Sequence, residues 1–261
     1  MSRIKDLFSA KHHNILNVYC TAGYPQLNST TEVLLALQKY GADMVEIGIP
    51  YSDPLADGPV IQQSNMAALK NGMSIHKLFD QLKNIRTPSG DEIFKLPLIL
   101  MGYLNPVMQY GIEKFCEEAE AIGVDGIILP DLPLYEFETE YKEIFQRNGL
   151  DFIFLITPET STERIKKIDE LSTGFIYAVS SSSTTGKDTD LGLQQEYFKK
   201  LKHLQLKNPI LVGFGIRDNK TFKSACQHTD GAIIGSAYIK ALQNSDDINL
   251  STEIFLKEIL K

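Results

Sequence analysis

The feature that most constrains this chain is an alternation that runs from end to end. Short, β-branched and nearly continuously apolar runs take turns with stretches of helical periodicity. The runs are NVYCTA from Asn17, MVEIGIP from Met44, LPLILMGY from Leu96, GIILP from Gly126, DFIFLIT from Asp151, FIYAVS from Phe175, PILVGFG from Pro209 and GAIIGSA from Gly231, eight in all. A strand that is apolar on both faces is covered on both faces, as in a parallel sheet flanked by helices. Helical patterns such as TTEVLLALQKYG and IEKFCEEAEAIG follow the first and third runs, and strand–helix alternation implies parallel strands joined by crossovers. Eight such units predict an α/β fold closed into a (β/α)8 TIM barrel, and the 261 residues suit the ~250 typical of it. The rival, an open doubly wound sheet, lacks its G-x-G-x-x-G after the first strand. No linker divides the chain, so the expectation is a single barrel domain over residues 1–261. Ser2 to Lys11 reads as a short amphipathic N-terminal helix that closes the barrel bottom.

A weak internal repeat fits this reading. GADMVEI from Gly41, GVDGIIL from Gly123 and HTDGAII from His228 each set an aspartate just before a strand. In the first two, a glycine suits the left-handed end of the preceding helix. A net charge of −7 argues against a nucleic-acid partner, which needs a basic face. Cys20, Cys116 and Cys226 are widely spaced and odd in number, which favours a reducing cytoplasm. No apolar run approaches the ~20 residues that span a bilayer.

Barrel enzymes work at the C-terminal ends of their strands. After the second run comes a loop with two prolines, a glycine, Asp53 and Asp57, and Glu46 lies in the run itself. Alternation puts Val45, Ile47 and Ile49 on one face and Met44, Glu46 and Gly48 on the other. Either face is buried, so Glu46 is either paired or functional. No candidate strand carries an internal Lys or Arg to pair with it. Burial would raise its pKa and let it hold a proton near neutrality. Asp53 and Asp57 are read either as caps or as functional groups. Gly213-Phe214-Gly215 and Gly235-Ser236 end the last two runs, where barrels often bind phosphate through backbone N–H groups. Ser180 to Gly186, SSSSTTG, is either a surface loop or a lid. None of the five histidines falls at a strand C-terminus, so no metal site is expected. No lysine lies inside a strand, which disfavours Schiff-base chemistry. What remains is acid–base work by carboxylates on a phosphorylated substrate.

The stretch GADMVEIGIPYSDPLADGPVIQ, Gly41 to Gln62, closely resembles the signature of tryptophan synthase α subunits. TAGYP, ILPDLP, TTG, GFGI and IGSA follow in that family's order across nearly the whole chain. The resemblance implies a lyase of tryptophan biosynthesis. It would cleave indole-3-glycerol phosphate to indole and D-glyceraldehyde 3-phosphate by retro-aldol chemistry. It implies Glu46 as the catalytic acid–base and Asp57 as the partner of the indole N–H. Tyr177 would lie near the reacting glycerol, and Tyr19, Ile61, Leu100, Ile128 and Phe214 around the indole. Gly186, Gly215, Gly235 and Ser236 would contact the phosphate. It also implies a β-subunit partner in an α2β2 heterotetramer, with pyridoxal phosphate held by that partner and no cofactor in this chain. Asp53, Pro54 and the loop at Ser180 to Gly186 match regions of subunit communication. One departure stands out: many members carry an Arg and a Gly inside that loop, where this chain has Ser181 and Ser183. A regulatory subunit without chemistry, a stand-alone lyase and a generic phosphosugar isomerase are the competing readings.

Overall fold

The computed structural model describes residues 2–87, 93–179, 191–213, 215–243 and 245–261. Its nine parallel strands are β1 Ile15–Thr21, β2 Met44–Gly48, β3 Leu98–Met101, β4 Gly126–Ile128, β5 Asp151–Phe152, β6 Phe154–Ile156, β7 Ile176–Val179, β8 Ile210–Gly213 and β9 Gly231–Ile234. They lie in the order β5-β4-β3-β2-β1-β9-β8-β7-β6. β5 and β6 are two pieces of the predicted fifth strand, separated only by Ile153, whose N–H donates to the Ile127 carbonyl at 3.0 Å. The two ends of the sheet are therefore one stretch of chain, and the ring closes on eight staves. The eight predicted strands are all present with bounds shifted by a few residues; β1, for instance, begins two residues before Asn17.

Closure makes strand parity decide everything about the core. Ile15, Met44, Ile99, Ile128, Ile153, Phe175, Tyr177, Leu211 and Ile233 form one buried cluster inside the barrel. Their neighbours in sequence, such as Leu16, Val45, Leu98, Leu100, Ile127, Ile176, Val212 and Ala232, form the larger cluster between strands and helices. The helices present matching stripes: Ser29–Tyr40 buries Val33, Leu34 and Leu37 and ends at Gly41, whose φ of 104° suits only glycine well.

The predicted N-terminal helix forms over Arg3–Ala10 and plugs the barrel bottom. Ile4 is fully buried within the interior cluster. A Cβ on Gly126 or Gly174 would come within 3.1 or 3.5 Å of the Ile4 Cδ1. Arg3 ties the helix to Asp125 at 2.9 Å, and the Ser2 hydroxyl donates to Asp151.

The repeated aspartates have one shared job. The carboxylates of Asp43, Asp125 and Asp230 accept the N–H of Leu16, Leu98 and Ile210 at 2.8, 2.9 and 2.7 Å. Their own N–H groups donate back to the carbonyls of the same three residues. Each aspartate thus staples the N-terminal end of a strand to that of its neighbour. These contacts all sit at the end opposite the expected chemistry, where a barrel invests in stability.

Truncating the plug should therefore cost stability and leave the other end untouched. Ile4→Ala is expected to lower unfolding free energy by about 2–4 kcal/mol in urea titrations; a loss under about 1 kcal/mol would mean that the helix is not part of the core.

Candidate active site

β2 carries Glu46 on the inward parity of Met44, at the C-terminal end of the barrel. Glu46 is only 1% exposed, and no Lys or Arg pairs with it among the described residues. Its hydrogen-bond partner is an amide: Asn17 Nδ2 donates to Glu46 Oε2 at 3.1 Å from the adjacent strand β1. Burial pushes the Glu46 carboxyl up to about 8; the Asn17 hydrogen bond pulls it down, and nearby Asp57 adds to the rise.

Asp57 reaches the same space from the loop after β2. It does not cap the following helix Pro59–Lys70, whose N-cap is Gly58 and which has no side-chain cap. Its carboxylate accepts instead from Asn65 Nδ2 at 3.2 Å and from the Tyr103 hydroxyl. That hydroxyl also accepts the Ala56 N–H at 3.1 Å, and the Tyr103 ring packs 5.3 Å from Tyr51. The loop is thus pinned by the helix that follows it and by the segment just after β3. Burial raises Asp57 to about 6, opposed by Tyr103 and Asn65. Asp53 is exposed, with the Ser52 hydroxyl as its partner, and stays outside the cleft.

The two aromatic walls depend on two glycines. A Cβ on Gly48 would lie within 1.9 Å of the Tyr19 Oη, and one on Gly213 within 2.2 Å of the Tyr177 Oη. Without those glycines neither ring could lie across the barrel mouth. Both hydroxyls are raised well above 10, Tyr19 by burial and Asp57, Tyr177 by burial and then Glu46, so both stay protonated donors.

Tyr19, Glu46, Asp57, Ile61, Met101, Tyr177, Gly215, Ile216, Ile233, Gly235 and Ser236 line one open cleft. Apolar walls with a few convergent polar groups suit a small-molecule ligand. A second groove shares Gly215, Ile216 and Ser236 with the cleft and is also lined by Arg217 and Lys240. No cluster of three or more potential metal ligands occurs among the described residues.

Eight of the site residues expected from the sequence line this cleft: Glu46, Asp57, Tyr19, Tyr177, Ile61, Gly215, Gly235 and Ser236. Two others are placed differently. Leu100 lies on the outward face of β3, packed against the helices, and Met101 lines the cleft in its stead. Both are apolar, so only the register of β3 against β2, Glu46 opposite Ile99, tells them apart. Ile128 does point inward but is fully buried beneath the cleft. Gly186 and Phe214, with the loop Ser180 to Gly186, lie outside the described residues. Sequence reasoning missed Asn17, Asn65 and Tyr103. A signal existed for Asn17, a polar residue at inward parity in an apolar run, as Glu46 is.

Comparison with known proteins gives a consistent picture. The family model described as "Tryptophan synthase alpha chain" matches residues 6–258. The tryptophan synthase alpha chain of Parabacteroides distasonis is 54% identical over 245 residues, 94% of this chain and 93% of that one. The solved tryptophan synthase subunit alpha of Legionella pneumophila str. Paris superposes with a TM-score of 0.87 at 32% identity, covering 99% of this chain and 97% of that one. A chain of the tryptophan synthase complex from Pyrococcus furiosus does so with a TM-score of 0.84 at 35% identity, covering 95% and 98%.

The raised Glu46 pKa has a consequence for stability. Its neutral form is favoured in the fold, so its contribution is fully present below the unfolded value of 4.5 and is lost as pH rises through about 8. Glu46→Gln removes that penalty. In thermal melts the variant should gain at least ~2 °C more over the parent at pH 9 than at pH 5; equal differences at both pH values would disprove the buried, proton-holding state.

Proposed function

We propose a division of labour among the cleft residues of this chain, which belongs to the tryptophan synthase alpha chain family. The chain is a carbon–carbon lyase of L-tryptophan biosynthesis, splitting indole-3-glycerol phosphate into indole and D-glyceraldehyde 3-phosphate by retro-aldol cleavage. In our reading the protonated Glu46 donates to indole C3. The ring becomes an indolenine with positive character at nitrogen, into which the electrons of the breaking C–C bond can flow. The resulting Glu46 carboxylate takes the proton of the glycerol hydroxyl as that carbon becomes the aldehyde. The proton lost is regained, and the residue is ready for another cycle. Ionised Asp57 accepts the indole N–H and stabilises its developing charge.

The observation that carries this reading is the pair of carboxyl groups in one cleft with different acidities, Glu46 near 8 and Asp57 near 6. Titratable groups pushed apart in this way mark an acid and an anionic stabiliser. Tyr19, Ile61, Met101 and Ile233 supply flat apolar walls for an indole, and the Tyr177 hydroxyl is a protonated donor for the glycerol side. We assign the phosphate to the backbone of Gly215, Gly235 and Ser236, and to Gly186 as the family resemblance implies. Arg217 and Lys240 line the adjoining groove that shares Gly215 and Ser236, and their charge favours an anion nearby.

We further propose that the chain functions as one domain over residues 1–261 and pairs with a tryptophan synthase β subunit in an α2β2 complex. Pyridoxal phosphate would belong to the partner. Support comes from the relative solved as a tryptophan synthase complex. Leu55, Met108 and Tyr135, at 82%, 53% and 73% exposure, also stand on the segments after β2, β3 and β4. Exposed apolar side chains grouped at one end of a barrel suit a docking face. Asp53 and Pro54 lie on the same rim and would carry communication between subunits. No described helix is long and apolar enough to cross a membrane. The three unbridged cysteines support a reducing, cytoplasmic setting.

The decisive assay is indole release from indole-3-glycerol phosphate by the purified chain without pyridoxal phosphate, repeated with a β subunit. Glu46→Gln and Asp57→Asn should each lose at least ~10²-fold in kcat. Retention of activity by either variant rules out its assigned role. The profile of kcat/KM should rise through about 6 as Asp57 ionises and fall through about 8 as Glu46 loses its proton. A profile flat from pH 5 to 9 would contradict both assignments.

A further inference from the structure

Asn17 sits where a barrel stave of this kind should be apolar. It occupies the inward parity of β1 between Ile15 and Tyr19, opposite Met44 on β2 and Ile233 on β9, and is fully buried. One half of its amide is used: Nδ2 donates to Glu46 Oε2 at 3.1 Å. The other half is not, since Oδ1 has no hydrogen-bond partner among the described residues. A buried acceptor without a partner is unfavourable for folding. Valine or isoleucine would fill the same place without that penalty, and the surrounding side chains Met44 and Ile233 would welcome either. The amide is thus not explained by the needs of the core. Glu46 has the complementary asymmetry, because its Oε1 also lacks a partner among the described residues while Oε2 is held.

We propose that Asn17 is a positioning residue for proton transfer: it grips Glu46 by Oε2 and so leaves Oε1 as the oxygen that carries the proton to the substrate and takes it back. The inference rests on the acid–base role proposed above for Glu46. An oxygen that accepts an N–H is the carbonyl oxygen of a carboxylic acid, so the proton is left to the other one. Once Glu46 has protonated the indole, its new negative charge strengthens the same N–H···O contact. The amide therefore stabilises the reacting state more than the resting one, which is what accelerates a chemical step.

The electrostatic surroundings agree. Of the groups that face Glu46, Asp57 from the loop after β2 pushes its acidity range upward, with burial the larger cause. Tyr19 on β1 and Tyr177 on β7 are raised, by burial first, and are neutral, as is Cys20 on the outward face of β1. Met101 on β3 and Ile233 on β9 bring no charge. The Asn17 hydrogen bond is the one influence named that lowers the Glu46 pKa, favouring the carboxylate.

The test uses the full chain with its β subunit and two variants, Asn17→Val and Asn17→Leu, which remove both polar atoms with different volumes. Glu46 is followed by carbon-13 NMR of carboxyl-labelled glutamate, with Glu46→Gln identifying its resonance, and kcat and KM are measured against pH. We expect at least one variant to fold with no loss of melting temperature. Its Glu46 midpoint should move up by about one pH unit, and the alkaline limb of kcat/KM with it. Its kcat should fall about 10-fold at unchanged KM. A midpoint and limb that stay in place or move down, or a loss confined to KM, would overturn the proposal. So would failure of both variants to fold, because the amide would then serve the core. Failure of the underlying acid–base reading looks different: indole release would survive in Glu46→Gln whatever Asn17 does.

Discussion

A parallel sheet that closes on itself leaves no free face. Every second side chain points into a space too narrow for water and must either pack or act, and the remainder must meet helices. Nearly all the structure of this chain follows from that restriction. The interior is filled from below by Ile4 and then by inward residues such as Met44, Ile99, Ile153 and Leu211. Filling stops near the C-terminal ends of the strands, where Gly48 and Gly213 omit a side chain and Tyr19 and Tyr177 lie over the gaps. The cleft is the unfilled top of the same core.

The chemistry draws on the same restriction. Glu46 stands at an inward position one step above the packed layer, so it is desolvated without being sealed in. Desolvation disfavours the charged carboxylate and keeps its proton near neutral pH. Asp57 comes from a loop, more open and better supplied with donors in Asn65 and Tyr103, and stays ionised at a lower pH. Two residues of similar chemistry thus take opposite roles because one hangs from a stave and the other from a loop.

The two ends of the barrel are specialised. At the N-terminal end, Asp43, Asp125 and Asp230 spend their carboxylates on strand N–H groups of adjacent strands, and Arg3, Arg86 and Ser2 brace the same layer. Those aspartates are satisfied by fixed partners and are not left facing a cavity. Toward the C-terminal end, Glu46 Oε1, Asn17 Oδ1 and Asn65 Oδ1 are buried and have no partner among the described residues. Gln81 Oε1, Ser172 Oγ and Tyr197 Oη share that state away from the cleft, so unmet hydrogen-bonding capacity is an opportunity for a ligand only where, as at Glu46, it borders the cleft.

Much of this was legible in the residues alone. Eight apolar runs in strand–helix alternation specify a closed barrel because few other arrangements cover both faces of eight strands. A carboxylate inside such a run, with no basic residue in any neighbouring run, marks Glu46, since burying it idle would be costly. Asp57 is legible only through its family-like loop, because an aspartate near a proline caps helices as readily as it binds ligands. The sequence could not choose between Leu100 and Met101, as two adjacent apolar residues differ only in the register of β3 against β2. Nor could it tell that Tyr103 and Asn65 hold Asp57, or that Asn17 meets Glu46. The periodicity of one strand determines which faces exist; which side chains touch across strands depends on a stagger set by closing the ring, and only the tertiary structure decides that.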